Sequence, residues 1–209
     1  MKSYLLVLSM AGLLSLSCTQ EEKKSLDLEV GGTSPTAPES PAAPACLTTS
    51  KILSQEITNG GTGFNGGSDY SNHVQELTFL TAVKIKSIEM RLRSDKGTES
   101  ITLDLRSHNI NQSPDISEAS LGTATVGNIP SSSSWVKFEF ANPIDLSAGS
   151  YIIDLTTDSI EANGEDVVVW GNGLINTDSY PGHQKYRRSV FGFWHGYDTD
   201  LAFRINACL

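Results

Sequence analysis

The sequence predicts an all-β domain, a sandwich or barrel built from short antiparallel strands. Apolar and polar residues alternate with a period of two in many segments, which places one strand face in a core and the other in solvent. Turn residues such as Asn142-Pro143 and Ser147-Ala148-Gly149 separate these segments. The clearest alternation lies in segments 88–93, 101–106, 136–140, 151–155 and 201–207, and weaker strand candidates are 52–58, 74–80, 119–126, 166–171 and 185–190.

Three local features refine this prediction. Val83 and Ile85 are out of phase with the segment that follows, which predicts a β-bulge near Ser87. Helical spacing of apolar residues occurs between His73 and Met90, but the many β-branched residues there favour a strand. Residues 60–67 contain five glycines and are predicted to form a loop. They contain a G-x-G-x-x-G match, but the segment that follows reads as strand, whereas a dinucleotide site needs a helix there.

Composition limits the function. The chain has 209 residues, 15 Lys+Arg and 24 Asp+Glu, and a net charge of −9. This acidic balance argues against nucleic-acid binding, which requires a basic surface that releases counterions. The apolar share of 38% is too high for a fully disordered chain. The length fits one medium-sized domain with an appendage.

The N-terminus has the layout of an export signal. Lys2 is followed by an apolar run from Tyr4 to Leu16, which is shorter than the ~20 residues that span a bilayer. Cys18 follows a small residue directly after this run, and this arrangement resembles the lipobox of bacterial lipoproteins. The resemblance implies cleavage after residue 17, diacylation of Cys18 with fatty acids such as palmitate, and sorting to the outer membrane because Thr19 is not Asp. Ser15 departs from the lipobox pattern, and an ordinary secretory signal is the alternative.

Two cysteines remain if Cys18 carries lipid. Cys46 opens the domain and Cys208 is the penultimate residue, so a bridge between them would join its two ends. Exported chains meet an oxidising compartment, which favours a disulfide. Two unpaired buried thiols are the alternative.

A tether is predicted between the lipid and the domain. Pro35, Pro38, Pro41 and Pro44 recur every third residue, the repeat of a polyproline II helix. The sequence therefore divides into a signal peptide (1–17), a lipidated cysteine with a Pro-rich linker (18–45) and a β-domain (46–209).

Two segments resemble a known kind of module. The stretch 134–157, SWVKFEFANPIDLSAGSYIIDLTT, and the closing DTDLAFRI at 198–205 are similar to bacterial jelly-roll modules of the galactose-binding-like and carbohydrate-binding kind. The resemblance implies a two-sheet antiparallel jelly-roll sandwich with four or five strands per sheet. It carries over no ligand residues.

The strongest indication of ligand binding is a group of aromatic residues near the C-terminus. Flat rings beside polar groups suit the apolar C–H faces of sugars. Phe191 and Phe193 are predicted to pack in the core, and core packing is the alternative for the other rings as well. The candidate ligand-binding residues are Tyr180, His183, Tyr186, Arg187, Trp194, His195 and Tyr197.

An acidic stretch is a weaker candidate, for calcium. Calcium takes six to eight oxygen ligands, often from one carboxylate-rich loop. The segment lacks the spaced D-x-D-x-D-G pattern, so a solvated hairpin tip is the alternative. The candidate ligands are Asp154, Asp158, Glu161 and Asp166.

The sequence contains no H-E-x-x-H, G-x-S-x-G or Cys-x-x-Cys motif. We therefore predict a non-catalytic envelope lipoprotein, anchored through its lipid, that displays a binding module for carbohydrate. A protein-contact or adhesive lipoprotein is the first alternative. A glycan-active hydrolase is the second, because a carboxylate pair is recognised only by its separation in space.

Overall fold

The computed structural model describes residues 46–65, 70–95, 97, 99–109, 112–157, 165–171, 183–189, 191–197 and 199–209. All twelve regular elements in this part of the chain are strands, so the all-β prediction is confirmed. They are β1 (Thr49–Gln55), β2 (Gly60–Asn65), β3 (Tyr70–Phe79), β4 (Val83–Ser94), β5 (Ile101–Ser107), β6 (Ser120–Val126), β7 (Ser134–Leu146), β8 (Gly149–Thr157), β9 (Glu165–Gly171), β10 (Lys185–Ser189), β11 (Trp194–Tyr197) and β12 (Phe203–Cys208).

The strands form two antiparallel sheets. Sheet I contains β1, β2, β4, β7, β9 and β12, and sheet II has the order β11-β10-β3-β8-β5-β6. Without β2, β9, β10 and β11, the sheets read β1-β12-β4-β7 and β3-β8-β5-β6. Numbered along the chain, these eight strands have the order 1-8-3-6 and 2-7-4-5. This is the connectivity of a jelly roll, which is the predicted fold.

The additional strands extend the two sheets differently. In sheet I, Leu92 of β4 has β7 on one side and β9 on the other, and Met90 has β7 on one side and β12 on the other. Strands β9 and β12 therefore lie end to end along one edge of β4. Strands β2 and β1 pair with them in turn, so sheet I is four strands wide. Sheet II is six strands wide because β10 and β11 extend it beyond β3.

The core lies between the sheets and follows the predicted alternation. In β7 the buried residues are Val136, Phe138 and Phe140, and the intervening Lys137 and Glu139 are exposed. The other long strands also contribute one face to the core, but in β3 and β8 residues 72–77 and 151–155 are buried on both faces. The largest fully buried side chains are Phe138, Phe140, Phe203, Leu77, Ile85, Ile88, Met90, Leu92, Ile101, Leu103, Leu105 and Ile129.

A bulge at Lys86 restores the phase of β4. Pairing shifts between Ile85 and Ser87 on the β7 side and at the same place on the β12 side, as predicted. The shift lets Ile85 and Ile88, three residues apart, both face the core. Opposite the bulge, residues 140–143 of β7 have no register partner in β4, and Lys86 Nζ donates to the Phe140 carbonyl at 3.1 Å.

A disulfide joins Cys46 to Cys208, as the cysteine spacing predicted. It closes a loop with a sequence separation of 162. In the chain-entropy model a loop of this length stabilises the folded state by at most about 5 kcal/mol. The bridge fixes β1 beside β12, where Thr49 lies opposite Cys208.

Three predictions were wrong. Residues 60–65 form β2, not a loop; their backbone pairs with β9, and Phe64 is buried in the core. Asn142-Pro143 is not a turn, because β7 continues through it to Leu146. Phe191 and Phe193 do not pack in the core, since they are 75% and 69% exposed. In the first case short-range glycine content was overridden by long-range strand pairing.

Candidate functional site

The outer face of sheet II carries a row of polar side chains that crosses all six strands. Residues facing away from the core alternate with the core residues, so strand register decides which of them are neighbours. One such row contains a ring, a guanidinium, an amide and three hydroxyls. Its members, from β11 to β6, are Trp194, Arg188, Asn72, Thr156, Thr102 and Thr125.

The Trp194 ring is held in place by apolar neighbours on the same face of the sheet. Trp194 packs against a small apolar cluster formed by Val74, Ile152 and Tyr186 on the outer face of the sheet. The indole stays half-buried, and the Arg188 guanidinium lies 5.9 Å from its centroid. This packing gives Trp194 a fixed position at the edge of the row.

Asp154 lies beside this row and is an unusual carboxylate. It is 3% exposed, and Asn72 Nδ2 donates to its Oδ1 at 2.8 Å. Burial, together with the Asp104 carboxylate on the next strand, raises its pKa to about 6, although Asn72, Arg106 and Arg188 act to lower it. A carboxyl with a pKa near neutrality is more common at functional sites than elsewhere.

Asp104 faces Asp154 across the β5–β8 pairing. It is 8% exposed and accepts hydrogen bonds from Ser120 Oγ at 2.6 Å and from the Arg106 guanidinium. Arg106 also donates to the Glu118 carbonyl. Two opposed carboxylates on neighbouring strands destabilise a sheet, and here Arg106 and Asn72 offset part of that repulsion.

A second polar cluster is buried further along β3. Glu76 is 1% exposed, and its Oε1 accepts hydrogen bonds from His108 Nε2 at 2.8 Å and from the Tyr186 hydroxyl at 3.3 Å. Its Oε2 accepts a hydrogen bond from the Gln184 backbone N–H at 2.7 Å. Burial and the Glu76 charge raise the pKa of Tyr186 to about 12. This cluster ties β10 and the segment after β5 to the outer face of β3.

His108 also lines a cleft of about 260 Å³ at the end of β5. The other lining residues are Ser107, Asn109, Gln112, Ser113, Asp115 and Glu118, all of them polar. The cleft therefore continues the polar character of the outer face beyond the edge of β5.

The aromatic residues predicted as one site are divided between two faces of the β10–β11 hairpin. Tyr186 and Trp194 lie on the outer face with the polar row. His183 joins that side, since its Nε2 is 2.8 Å from Thr78 Oγ1. His195 and Tyr197 lie opposite Arg187 and Lys185, on the other face, because strand residues alternate.

On that other face, two cationic side chains lie against the Tyr197 ring. Arg187 lies 4.4 Å from the ring centroid and donates to the Tyr197 hydroxyl, and Lys185 Nζ is 5.6 Å from the same centroid. Burial, together with the charge of nearby Arg187, lowers the pKa of Lys185 to about 8. Buried Asp200, which accepts a hydrogen bond from Gln75 Nε2 at 3.1 Å, acts against this.

The predicted calcium ligands are not brought together among the residues that the structure describes. Asp154 is engaged by Asn72, and Asp166 belongs to β9 in the other sheet. Asp158, Glu161 and the predicted ligand-binding residue Tyr180 lie outside the described residues, as do Cys18 and the Pro-rich segment. Within the described part, no group of three or more His, Cys, Asp or Glu residues could hold a metal ion.

Sequence reasoning missed Asn72, Asp104 and Arg106 of the candidate site, and it considered Asp154 only as a calcium ligand. For Asp104 and Asp154 the signal was present in the alternation, because each lies between two core residues, Leu103 and Leu105 in β5 and Ile153 and Leu155 in β8. The sequence did not supply the register between strands, which makes these polar residues neighbours across β3, β8 and β5.

The outer face of sheet I has a different character. Arg204 of β12 pairs with Glu56 at 2.8 Å and with Glu89 at 3.4 Å, and it lies 3.9 Å from the Trp135 ring centroid. The Arg204 hydrogen bond, with that of Lys51, lowers the pKa of Glu56 to about 2. The charges on the outer face of sheet I are thus paired with one another, whereas two carboxylates face each other on sheet II.

No protein-family model matches the chain, and no curated protein matches it. Among solved structures, a family two carbohydrate esterase from Cellvibrio japonicus is similar with a TM-score of 0.27 and 10% identity. The match covers 76% of this chain and 35% of that enzyme, so the chain spans about a third of its length. A similarity this distant assigns neither family nor function. In the described part of the chain, no helix is long and apolar enough to cross a membrane.

Replacing Asp154 with Asn is predicted to stabilise the protein at neutral pH. The pKa of Asp154 is raised from 3.8 to about 6, so its ionised form costs folding free energy above pH 6. Asp154→Asn keeps the acceptor for Asn72 and should raise the free energy of unfolding at pH 7.5 by up to about 3 kcal/mol. The gain should shrink between pH 6 and pH 4, because Asp154 becomes protonated there in the folded state, and it should vanish below the ordinary pKa of 3.8, where the unfolded state is protonated as well. Urea unfolding across this pH range measures it.

The matched control is Asp145→Asn, since Asp145 has a side chain 77% exposed and pairs with Lys84 on the surface. It should leave the free energy of unfolding nearly unchanged. An Asp154→Asn variant no more stable than the parent at pH 7.5 would contradict this account of Asp154.

Proposed function

We propose that this protein binds carbohydrate on the outer face of sheet II without catalysing a reaction. The observation that carries the proposal is the polar row that begins at Trp194 and crosses six strands. A sugar ring needs an apolar surface for its C–H face and several hydrogen-bonding groups for its hydroxyls. The row offers both side by side, over a length that suits an oligosaccharide better than a single ring.

The polar groups around the row are pre-organised. Asn72 is held by Asp154, and Asp104 is held by Ser120 and Arg106, so little side-chain entropy is lost when a ligand binds. These groups also sit on strands rather than on loops, which fixes their spacing. The raised pKa of Asp154 supports the proposal, because an electrostatic cost retained at one place is typical of a functional site.

We also propose that the domain is displayed on the bacterial cell envelope through a lipid on Cys18. The support is the sequence order: an apolar run, a cysteine after a small residue, and a Pro-rich stretch before Cys46. The disulfide between Cys46 and Cys208 fits an oxidising compartment outside the cytoplasm. A linker at this position would hold the binding face away from the membrane.

Oxidised domain 46–209 is expected to bind a defined subset of glycans on an array, with calcium and with chelator alike. Trp194→Ala should reduce binding to the best glycan at least about tenfold, because the ring supplies the apolar contact. The matched control is Trp135→Ala, which removes a half-buried, arginine-stacked indole from the opposite sheet. It should leave glycan binding unchanged.

Either of two results would count against this proposal. One is an array on which the folded domain binds nothing in either buffer. The other is equal loss of binding in Trp194→Ala and Trp135→Ala, which would indicate damage to the fold instead of loss of a contact.

Lipidation is tested separately, in bacteria that express the full chain and are fed an alkyne analogue of palmitate. The protein should acquire the label and fractionate with the outer membrane. Cys18→Ser should carry no label, while Cys46→Ser with Cys208→Ser should still be labelled. Labelling that persists in Cys18→Ser, or none in the parent chain, would overturn the proposed anchor.

A further inference from the structure

The turn between β10 and β11 presents two phenylalanine rings to solvent. Phe191 is 75% exposed and Phe193 is 69% exposed. Isolated exposed apolar residues are common on proteins, but two aromatic rings two residues apart at one turn form a compact apolar tip. We call residues 191–193 the hairpin tip.

The backbone holds the hairpin tip in one conformation. The Ser189 amide donates to the Phe193 carbonyl at 2.8 Å, and the Gly192 amide donates to the Ser189 carbonyl at 2.9 Å. The Phe193 amide donates to Ser189 Oγ at 3.2 Å. Gly192 has a φ of 87°, which a residue with a side chain rarely adopts. The exposure of the rings is therefore built into the turn.

The strands behind the tip are basic in an acidic protein. The segment 183–197 contains Lys185, Arg187 and Arg188 and no Asp or Glu, although the whole chain has a net charge of −9. Arg188 is half-buried on the outer face of sheet II, and Arg187 is half-buried on the other face of the hairpin. Arg188 and Arg187 pair with Trp194 and His195, which are one and two residues after Phe193. Two aromatic rings with cations at this distance suit a lipid bilayer, which is apolar inside and can be anionic at its surface.

The tip also lies at the end of the sandwich opposite the chain entry. Ser189 pairs with Tyr70 at the start of β3, whereas Leu80 follows the end of that ten-residue strand. Cys46 is bonded to Cys208, next to Ala207, which pairs with Ile85 near the start of β4. The entry point is thus at the Leu80 end, roughly 30 Å from the tip at 3.3 Å per strand residue.

From these features we propose that the hairpin tip inserts into an anionic phospholipid bilayer. The two phenylalanines enter the boundary between headgroups and acyl chains, and Arg187 and Arg188 lie at the level of the phosphates. This contact is separate from the lipid on Cys18, and it shares only Arg188 with the polar row of the proposed glycan site.

The test uses residues 18–209 with Cys18→Ser, so that no attached lipid contributes. Sedimentation is measured with vesicles of phosphatidylcholine alone and with vesicles that contain about 30% phosphatidylglycerol. The protein should sediment with the anionic vesicles, at least about tenfold more tightly than with the neutral ones, and this binding should weaken as salt is added. The double variant Phe191→Ser with Phe193→Ser should bind the anionic vesicles at least about tenfold more weakly than the parent chain does, because burial of each ring contributes that much or more to binding.

The matched control is Leu80→Ser, which removes an 89% exposed apolar side chain from the opposite end of the sandwich and should leave vesicle binding unchanged. Unfolding midpoints of all variants should equal that of the parent chain, because the replaced side chains make little contact. The inference is overturned if the parent chain does not sediment with anionic vesicles, or if the double phenylalanine variant binds them as the parent does. It is also overturned if Leu80→Ser loses as much binding. Glycan binding of the double variant should be retained, so failure here leaves the proposed function intact.

Discussion

Burial of one face of every long strand between two sheets is the constraint on which this structure depends. The two-residue period of a strand ties each core residue to an outward neighbour, so a core that accepts Leu103, Ile153 and Leu77 also fixes the outward positions of Asp104, Ile152 and Glu76. A slip of one residue in any of these pairings would put carboxylates in the core. The outer face of sheet II is therefore specified by the packing of its opposite side, and the bulge at Lys86 serves the same packing in sheet I.

The two outer faces use their charges differently. On sheet I, cations and carboxylates alternate and pair, as Arg204 does with Glu56 and Glu89, which keeps that surface solvated and unstrained. On sheet II, Asp104 and Asp154 face each other with little exposure, and the arrangement holds because Arg106 and Asn72 donate to them. Well-folded domains usually avoid such electrostatic repulsion between buried carboxylates except at functional sites. The proposed glycan site occupies the face that bears this cost and carries an anchored indole at its edge.

The fold was accessible from the sequence because its signals are local. Alternation located β4, β5, β7, β8 and β12, and a phase break located the bulge. The glycine-rich β2 was missed because its strand character comes from pairing with β9, which no local pattern reveals. For the candidate site, the aromatic composition pointed to the β10–β11 hairpin and treated its rings as one cluster. Alternation along β10 and β11 places Trp194 and Tyr197 on opposite faces. The polar partners from β3, β5 and β8 needed the register between strands distant in sequence.

The central claim is that ligand meets the protein on the outer face of sheet II, and an NMR titration tests it most directly. The ¹⁵N-labelled domain would be titrated with the oligosaccharide that binds best in an array screen. The account predicts that the Trp194 indole N–H and the amides of Asn72, Thr102 and Thr156 shift together with one saturation curve, while the Trp135 indole stays in place. Shifts confined to the surroundings of Trp135 and Arg204 on sheet I would contradict it.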